Sequence, residues 1–156
     1  MVLPVFINPD PILRKKSIEI ESNEIESEDI QTLSLNLSET MLERDGAGLA
    51  APQIGKSIRM IVANTKNGSL CMINPKILKK SWAKEWDTEG CLSLPGIYGD
   101  VNRHKKLTCE YLDNHGKKKK IEAKGLMARV IQHETDHLDG ILFIDKAKKI
   151  KEHEIL

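Results

Sequence analysis

With 24 Lys and Arg against 23 Asp and Glu over 156 residues, the chain carries a formal charge of only +1, so neither a basic nor an acidic excess marks a polyanionic or polycationic partner. No direct nucleic-acid specificity is expected, and the run Lys117–Lys120 reads as a solvated strand or turn. Cys71, Cys91 and Cys109 are scattered and form no C-x-x-C pair, which argues against a disulfide framework and for a reducing compartment.

The N-terminus lacks the charged region and apolar run of a signal peptide, and no stretch is long enough to span a membrane. The expectation is a single domain over residues 1–156, monomeric and cytoplasmic. Residues 1–23, broken by Pro4, Pro9 and Pro11, read as an extended lead-in. Ile30, Leu33, Leu37 and Met41 then recur at helical spacing, with Ser27 as N-cap and Glu28 and Asp29 in the first turn, predicting a helix to about Arg44. The small-residue stretch from Gly46 to Gln53 matches neither a phosphate loop nor a dinucleotide fingerprint, and reads as the wall of a site. Met60–Ala63, Leu70–Ile73 and Ser81–Trp86 read as short strands, with Asn67-Gly68 as a hairpin turn and Asn74-Pro75 as a further turn signal. Glu89–Pro95 reads as a turn with Cys91 at its centre. Another hairpin follows through Asp113–Gly116, and a helix runs from Gly125 to a stop at Gly140. The tail from Lys146 reads as frayed helix or coil.

That last long helix carries His133-Glu134-Thr135-Asp136-His137, an H-E-x-x-H pattern. Residues four apart share a helix face, so the two imidazoles can reach one metal ion while Glu134 faces a water. A catalytic metal takes a third protein ligand and keeps one position open. Phe143 stands where one family of H-E-x-x-H proteases has its third histidine, and Glu152, His153 and Glu154 lie too close in the tail. His104 and His115 read as surface histidines. Cys91, in a turn beside a glycine, remains as the third donor.

Gly46-Ala47-Gly48-Leu49-Ala50-Ala51-Pro52-Gln53, Glu89-Gly90-Cys91-Leu92-Ser93 and His133-Glu134-Thr135-Asp136-His137 together resemble the three signature motifs of peptide deformylases, in the same order and over essentially the whole chain. The resemblance implies hydrolytic removal of the N-formyl group from the initiator methionine of nascent proteins, with formate released. It implies an α+β domain whose antiparallel sheets pack around the central H-E-x-x-H helix, with an additional N-terminal helix. Cys91, His133 and His137 would bind one divalent metal ion, usually Fe2+ in this family, with Zn2+, Ni2+ or Co2+ as substitutes. Glu134 would be the general acid/base, and Gln53 with the backbone N–H of Leu92 would donate to the oxyanion. Ala47, Gly48 and Gly90 would bind the peptide as an added strand.

Helix geometry places Leu126, Arg129 and Val130 beside the metal as the methionine pocket. The Arg129 guanidinium would reach solvent or the peptide carboxylate, or else be merely solvated. Asp136 and Glu89, the latter with Arg103, are expected to orient the ligands. The segment 96–102, with Tyr98, lies where family members differ. The short tail leaves open the docking on the ribosome that some relatives achieve with a longer C-terminal helix. An organelle as host, with a targeting segment missing, is the alternative to a bacterium. Two readings compete: a metallopeptidase, which leaves Cys91 without a role, and a non-catalytic metal site, which leaves Glu134 and Gln53 without one.

Overall fold

Alternation along one strand explains most of the layout. A computed structural model of the chain describes residues 1–153. Within them lie α1 (Glu28–Glu43), β1 (Gly48–Ala50), β2 (Met60–Thr65), β3 (Gly68–Lys80), β4 (Lys84–Cys91), β5 (Leu94–His104), β6 (Lys106–Leu112), β7 (Lys118–Lys124), α2 (Gly125–Leu138) and β8 (Lys148–Glu152). Antiparallel pairing gives one sheet in the order β1-β2-β3-β6-β7 and a second in the order β4-β5-β8. Successive side chains of a strand point to opposite faces. Met60 and Val62 therefore join Leu37, Met41 and Leu49 below α1, whereas Ile61 joins Met72, Ala128 and Ile131 below α2. With both faces covered, Met60–Ala63 is buried throughout and reads as a continuous apolar run rather than an alternating one. The fold is α+β, with antiparallel sheets around the H-E-x-x-H helix and a second helix from the N-terminal part, as expected.

Ser27 caps α1, its side chain accepting from Ile30 N–H at 3.3 Å. Both hairpins form where the turn residues placed them, between β2 and β3 and between β6 and β7. α2 is fastened to the sheet connection by the Gln132 amide, which donates to His104 O (2.9 Å) and accepts from His104 N–H (3.0 Å).

Four local expectations are corrected. Asn74-Pro75 does not end a strand: Asn74 takes φ 50° and the ladder shifts register there, so β3 bulges and continues to Lys80. The Asn74 side chain occupies both Ile20 backbone groups, at 2.9 Å each, in place of a ladder. Cys91 closes β4 rather than centring a turn; it pairs with Leu94, and Leu92-Ser93 make the turn. The lead-in contains a 3₁₀ turn at Pro11–Arg14, capped by Asp10, and a bridge from Ile18 to Ile58. The tail is neither helix nor coil through Glu152: β8 pairs with the open edge of β5, where backbone groups would otherwise face water alone. Its exposed, lysine-rich residues give no alternating pattern to read. The remainder of the tail, residues 154–156, lies outside the described residues.

Candidate active site

The end of β4 and one face of α2 bring three metal-type donors together. One donor atom each from Cys91, His133 and His137 lies within 4.8 Å of the others, and Cys91 Sγ is 3.4 Å from His137 Nε2. His133 is aimed by Glu89: its Nδ1 donates to Glu89 Oε1 at 2.8 Å, which turns Nε2 toward the sulfur. Phe143, nearly fully buried, stacks on the same ring with centroids 6.1 Å apart.

Glu89 is the hub of a buried charge network. Arg103 grips it with two bonds of 3.0 Å, Arg129 Nη1 donates at 2.7 Å, and Arg103 Nη1 also donates to Asp136 at 2.6 Å. Asp136 thus acts on Arg103 and Lys146 rather than on His133 directly. Burial opposes ionisation of Glu89, yet the bonds from His133 and Arg103 and their charges hold its carboxyl far below the usual range. Burial likewise opposes charge on His133, but its bonds to Cys91 and Glu89 raise it to about 10. His137, buried and facing that charge, is pushed well below the ordinary histidine value.

The donor set suits a divalent cation. One sulfur and two imidazoles are ligands that zinc, iron, cobalt and nickel all accept. The electrostatics agree, because the neighbourhood of Cys91 and Glu89 raises the proton affinity of His133 despite burial. Beside them, Glu134 Oε2 is buried without a hydrogen-bond partner among the described residues. Burial raises this carboxyl to about 7.

A cleft of about 680 Å3 opens over the group. Every residue assigned to catalysis or substrate from the sequence lines it: Gln53, Leu92 and Glu134, together with Ala47, Gly48, Gly90, Leu126, Arg129 and Val130. Cys91 and His133 reach it, whereas His137 lies beneath, 1% exposed. Gln53 is oriented by its neighbours. Ala50 N–H donates to its Oε1 at 3.0 Å, and its Nε2 donates to Ser93 Oγ (3.1 Å) and Cys91 Sγ (3.4 Å).

Arg129 departs from both expectations held for it. Its guanidinium turns inward to Glu89, Val101 O and Glu85 O, so it braces β4 and β5 against α2 instead of reaching solvent. Leu126 is 71% exposed and stands at the mouth, while Val130 is buried in the wall. Sequence reasoning missed two features. Ser93, fully buried, accepts the Gln53 amide; its place two residues after Cys91 was the available signal. His153, dismissed as tail, comes to the rim with Tyr98, ring centroids 5.5 Å apart, because β8 pairs with β5.

Gly48 shows why a glycine faces the catalytic helix. A Cβ there would come within 2.8 Å of both Glu134 Oε1 and Val130 Cγ1. Gly48→Ala is expected to leave a folded protein whose Glu134 is displaced, with a rate loss of about 10²-fold, the scale set by misplacing a reacting group by an ångström. Kinetics combined with circular dichroism check this, and unchanged kcat would show that the site tolerates the shift.

The cysteines differ in their surroundings. Burial pushes the Cys71 thiol up to about 12 and, against a backbone bond at Lys76, the Cys109 thiol up to about 11. Thiols react as thiolates. Iodoacetamide on the native protein is expected to mark Cys91, which lines the cleft, and a bound cation to slow that labelling. Peptide mass spectrometry reads the outcome; labelling led by Cys71 or Cys109 would contradict it.

Comparison with known proteins adds four findings. The family described as polypeptide deformylase matches residues 2–153. A peptide deformylase from Dehalococcoides mccartyi is 45% identical over 151 residues, covering 94% of this chain and 87% of that protein. Among solved structures, the peptide deformylase from Thermotoga maritima superposes with a TM-score of 0.90 at 37% identity, covering 95% of this chain and 99% of that one. The Met-Ala-Ser-bound class I type b peptide deformylase from Acinetobacter baumannii superposes at 0.88 with 35% identity, covering 94% and 98%.

Proposed function

The chain belongs to the polypeptide deformylase family, and on that premise we propose that Cys91, His133 and His137 hold its catalytic metal while Glu134 carries the protons of the reaction. It is a metal-binding hydrolase of protein synthesis that removes the N-formyl group from newly made peptides. The observation that supports these roles is the convergence of the three donors beside a buried carboxylate with a free oxygen, at the floor of a peptide-sized cleft.

Cys91, His133 and His137 would hold the cation, which would supply Lewis acidity to a bound water and to the formyl carbonyl. Glu134 takes the proton of the attacking water on its free Oε2 and returns one to the departing amine nitrogen. A carboxyl poised near neutral pH serves both transfers, since it must be basic before attack and acidic after it. Gln53, held with its Oε1 on Ala50 N–H and one amide hydrogen on Ser93 Oγ, can turn the amide hydrogen now on Cys91 Sγ to the oxygen that becomes negative, and Leu92 N–H adds a second donor. Ala47, Gly48 and Gly90 offer backbone on the two sides of the cleft, where a peptide can lie extended. Leu126 and Val130 give the methionine side chain apolar walls. Arg129 acts through Glu89, holding the wall in place.

The native ion in this reading is ferrous iron, with zinc, nickel and cobalt able to replace it. The whole chain acts as one catalytic domain, monomeric and cytoplasmic, on formyl-methionyl chains as they leave the ribosome. No helix of the described residues is long and apolar enough to cross a membrane.

Formate release from formyl-Met-Ala-Ser tests the reading, with protein prepared without oxygen and loaded with Fe2+, and the acetyl peptide as control. Turnover of the formyl peptide alone is expected, and reloading with Zn2+, Ni2+ or Co2+ ranks the metals. Folded, metal-loaded protein that releases no formate would overturn the reading.

A further inference from the structure

A formal charge of +1 conceals an uneven distribution. Between β3 and β4 the chain turns through Ser81-Trp82-Ala83. Ser81 N–H donates to Lys106 O at 2.9 Å and Lys105 N–H to Ala83 O at 3.0 Å, which seats this turn on the connection from β5 to β6. Strand register then completes the surroundings, with Lys80 opposite Leu107, Lys106 opposite Lys124, and Lys84 opposite His104. Lys79, Lys80, Lys84, Lys105, Lys106 and Lys124 are all exposed and gather about one turn. None of them forms an ion pair among the described residues. A shallow cleft of about 590 Å3 between four of these lysines has Glu122 as its acidic member. Beside it stands Trp82, 98% exposed.

An indole wholly in water contributes nothing to this fold, and a cluster of unpaired lysines repels itself. Together they supply two complementary contacts: cations for a chain of phosphates and a flat ring on which a base can stack. We infer that this surface binds a segment of single-stranded nucleic acid, with phosphates along the lysines and a base on Trp82. An acidic peptide would use the lysines and leave the indole idle, and a duplex would keep its base faces covered. Recognition of this kind has no sequence preference, which accords with a chain showing no nucleic-acid motif. Lys105 also borders a groove of about 100 Å3 with Leu126 and Arg129, and both of these line the substrate cleft. A bound strand would therefore lie beside the entrance to the cleft without covering Glu134.

The test titrates metal-loaded protein into labelled oligouridylate and oligothymidylate of about a dozen nucleotides at about 50 and 200 mM salt, with polyglutamate as competitor. Binding of either oligonucleotide is expected to weaken about tenfold in Trp82→Ala, the scale of one lost base stack. In Lys80→Gln/Lys106→Gln/Lys124→Gln the slope of log affinity against log salt should fall by about 2, at about 0.7 per phosphate contact. Trp82 emission, read in a Trp86→Phe background, should be quenched on binding, and formyl-peptide hydrolysis should be unchanged in every variant. Absence of binding at the lower salt, equal displacement by polyglutamate, or full affinity in Trp82→Ala would each overturn the inference.

Discussion

Glu134→Gln should stop formate release almost completely while the protein stays folded and keeps its metal. The substitution preserves the length and volume of a side chain packed against Gly48 and Val130, and removes only the capacity to take and return a proton. General acid–base catalysis is worth about 10²–10⁴ in rate, equivalent to roughly 3–5 kcal/mol of barrier at 1.36 kcal/mol per decade. Stability should not suffer. Burial raises the wild-type carboxyl to about 7, a sign that the ionised form is costly there, and a neutral amide carries no such cost. Three readouts belong together: formate release, metal content and thermal melting. Retained turnover would remove Glu134 from the mechanism. Loss of metal together with turnover would make it part of the metal's binding rather than the carrier of protons.

The second large effect is expected at Glu89, which touches no substrate atom in this account. Glu89→Gln leaves Arg103, Arg129 and His133 facing a neutral group in a buried pocket. Removing one partner of a buried ion pair costs about 3–5 kcal/mol. At about 2–4 °C per kcal/mol for a chain of this size, Tm should drop by roughly 6–20 °C. Metal affinity should fall by about 10–100-fold, because the bond that orients His133 is weakened.

The wild-type pH dependence has a definite sign. The folded-state pKa of Glu89 is depressed, so its contribution is complete above the ordinary carboxylate range and is lost as pH falls through the folded value. The variant should therefore lose less stability in acid than the wild type does. Melting across pH, with metal titration at neutral pH, reads these effects, and a Tm within a degree or two of wild type would refute the network's importance.

These two glutamates mark how far the sequence could be read. Glu134 was legible because H-E-x-x-H is a short-range pattern: helical spacing alone places its members on one face. Cys91 needed elimination among distant candidates and the motif around it, since its approach to α2 depends on strand pairing with no local signature. The pairing of Glu89 with Arg103 was foreseen from proximity to Cys91, but the inward turn of Arg129 was not, because nothing in its own helix reveals the carbonyls of Glu85 and Val101 waiting across the gap. β8 was illegible for a related reason. Lys148–Glu152 has no buried face, and its strand conformation is imposed by the edge of β5 rather than by its own pattern. His153 went unread with it, and so did one rim of the cleft. The core was easier: Leu37 and Met41 on α1 and the run Met60–Ala63 announce themselves by period and by length.

That the donors come from only two elements, the last residue of β4 and two turns of α2, has a consequence for how the molecule holds together. An ion gripped by all three would act as a clasp between the small sheet and the helix, joining parts of the chain that are far apart in sequence. Any ligand that prefers the folded form stabilises it by RT ln(1 + [L]/Kd), about 4 kcal/mol when the free ion exceeds its dissociation constant a thousandfold. Chelation would then slacken the seam between hairpin and helix as well as silence the enzyme. Proteolysis and hydrogen exchange should find that seam first.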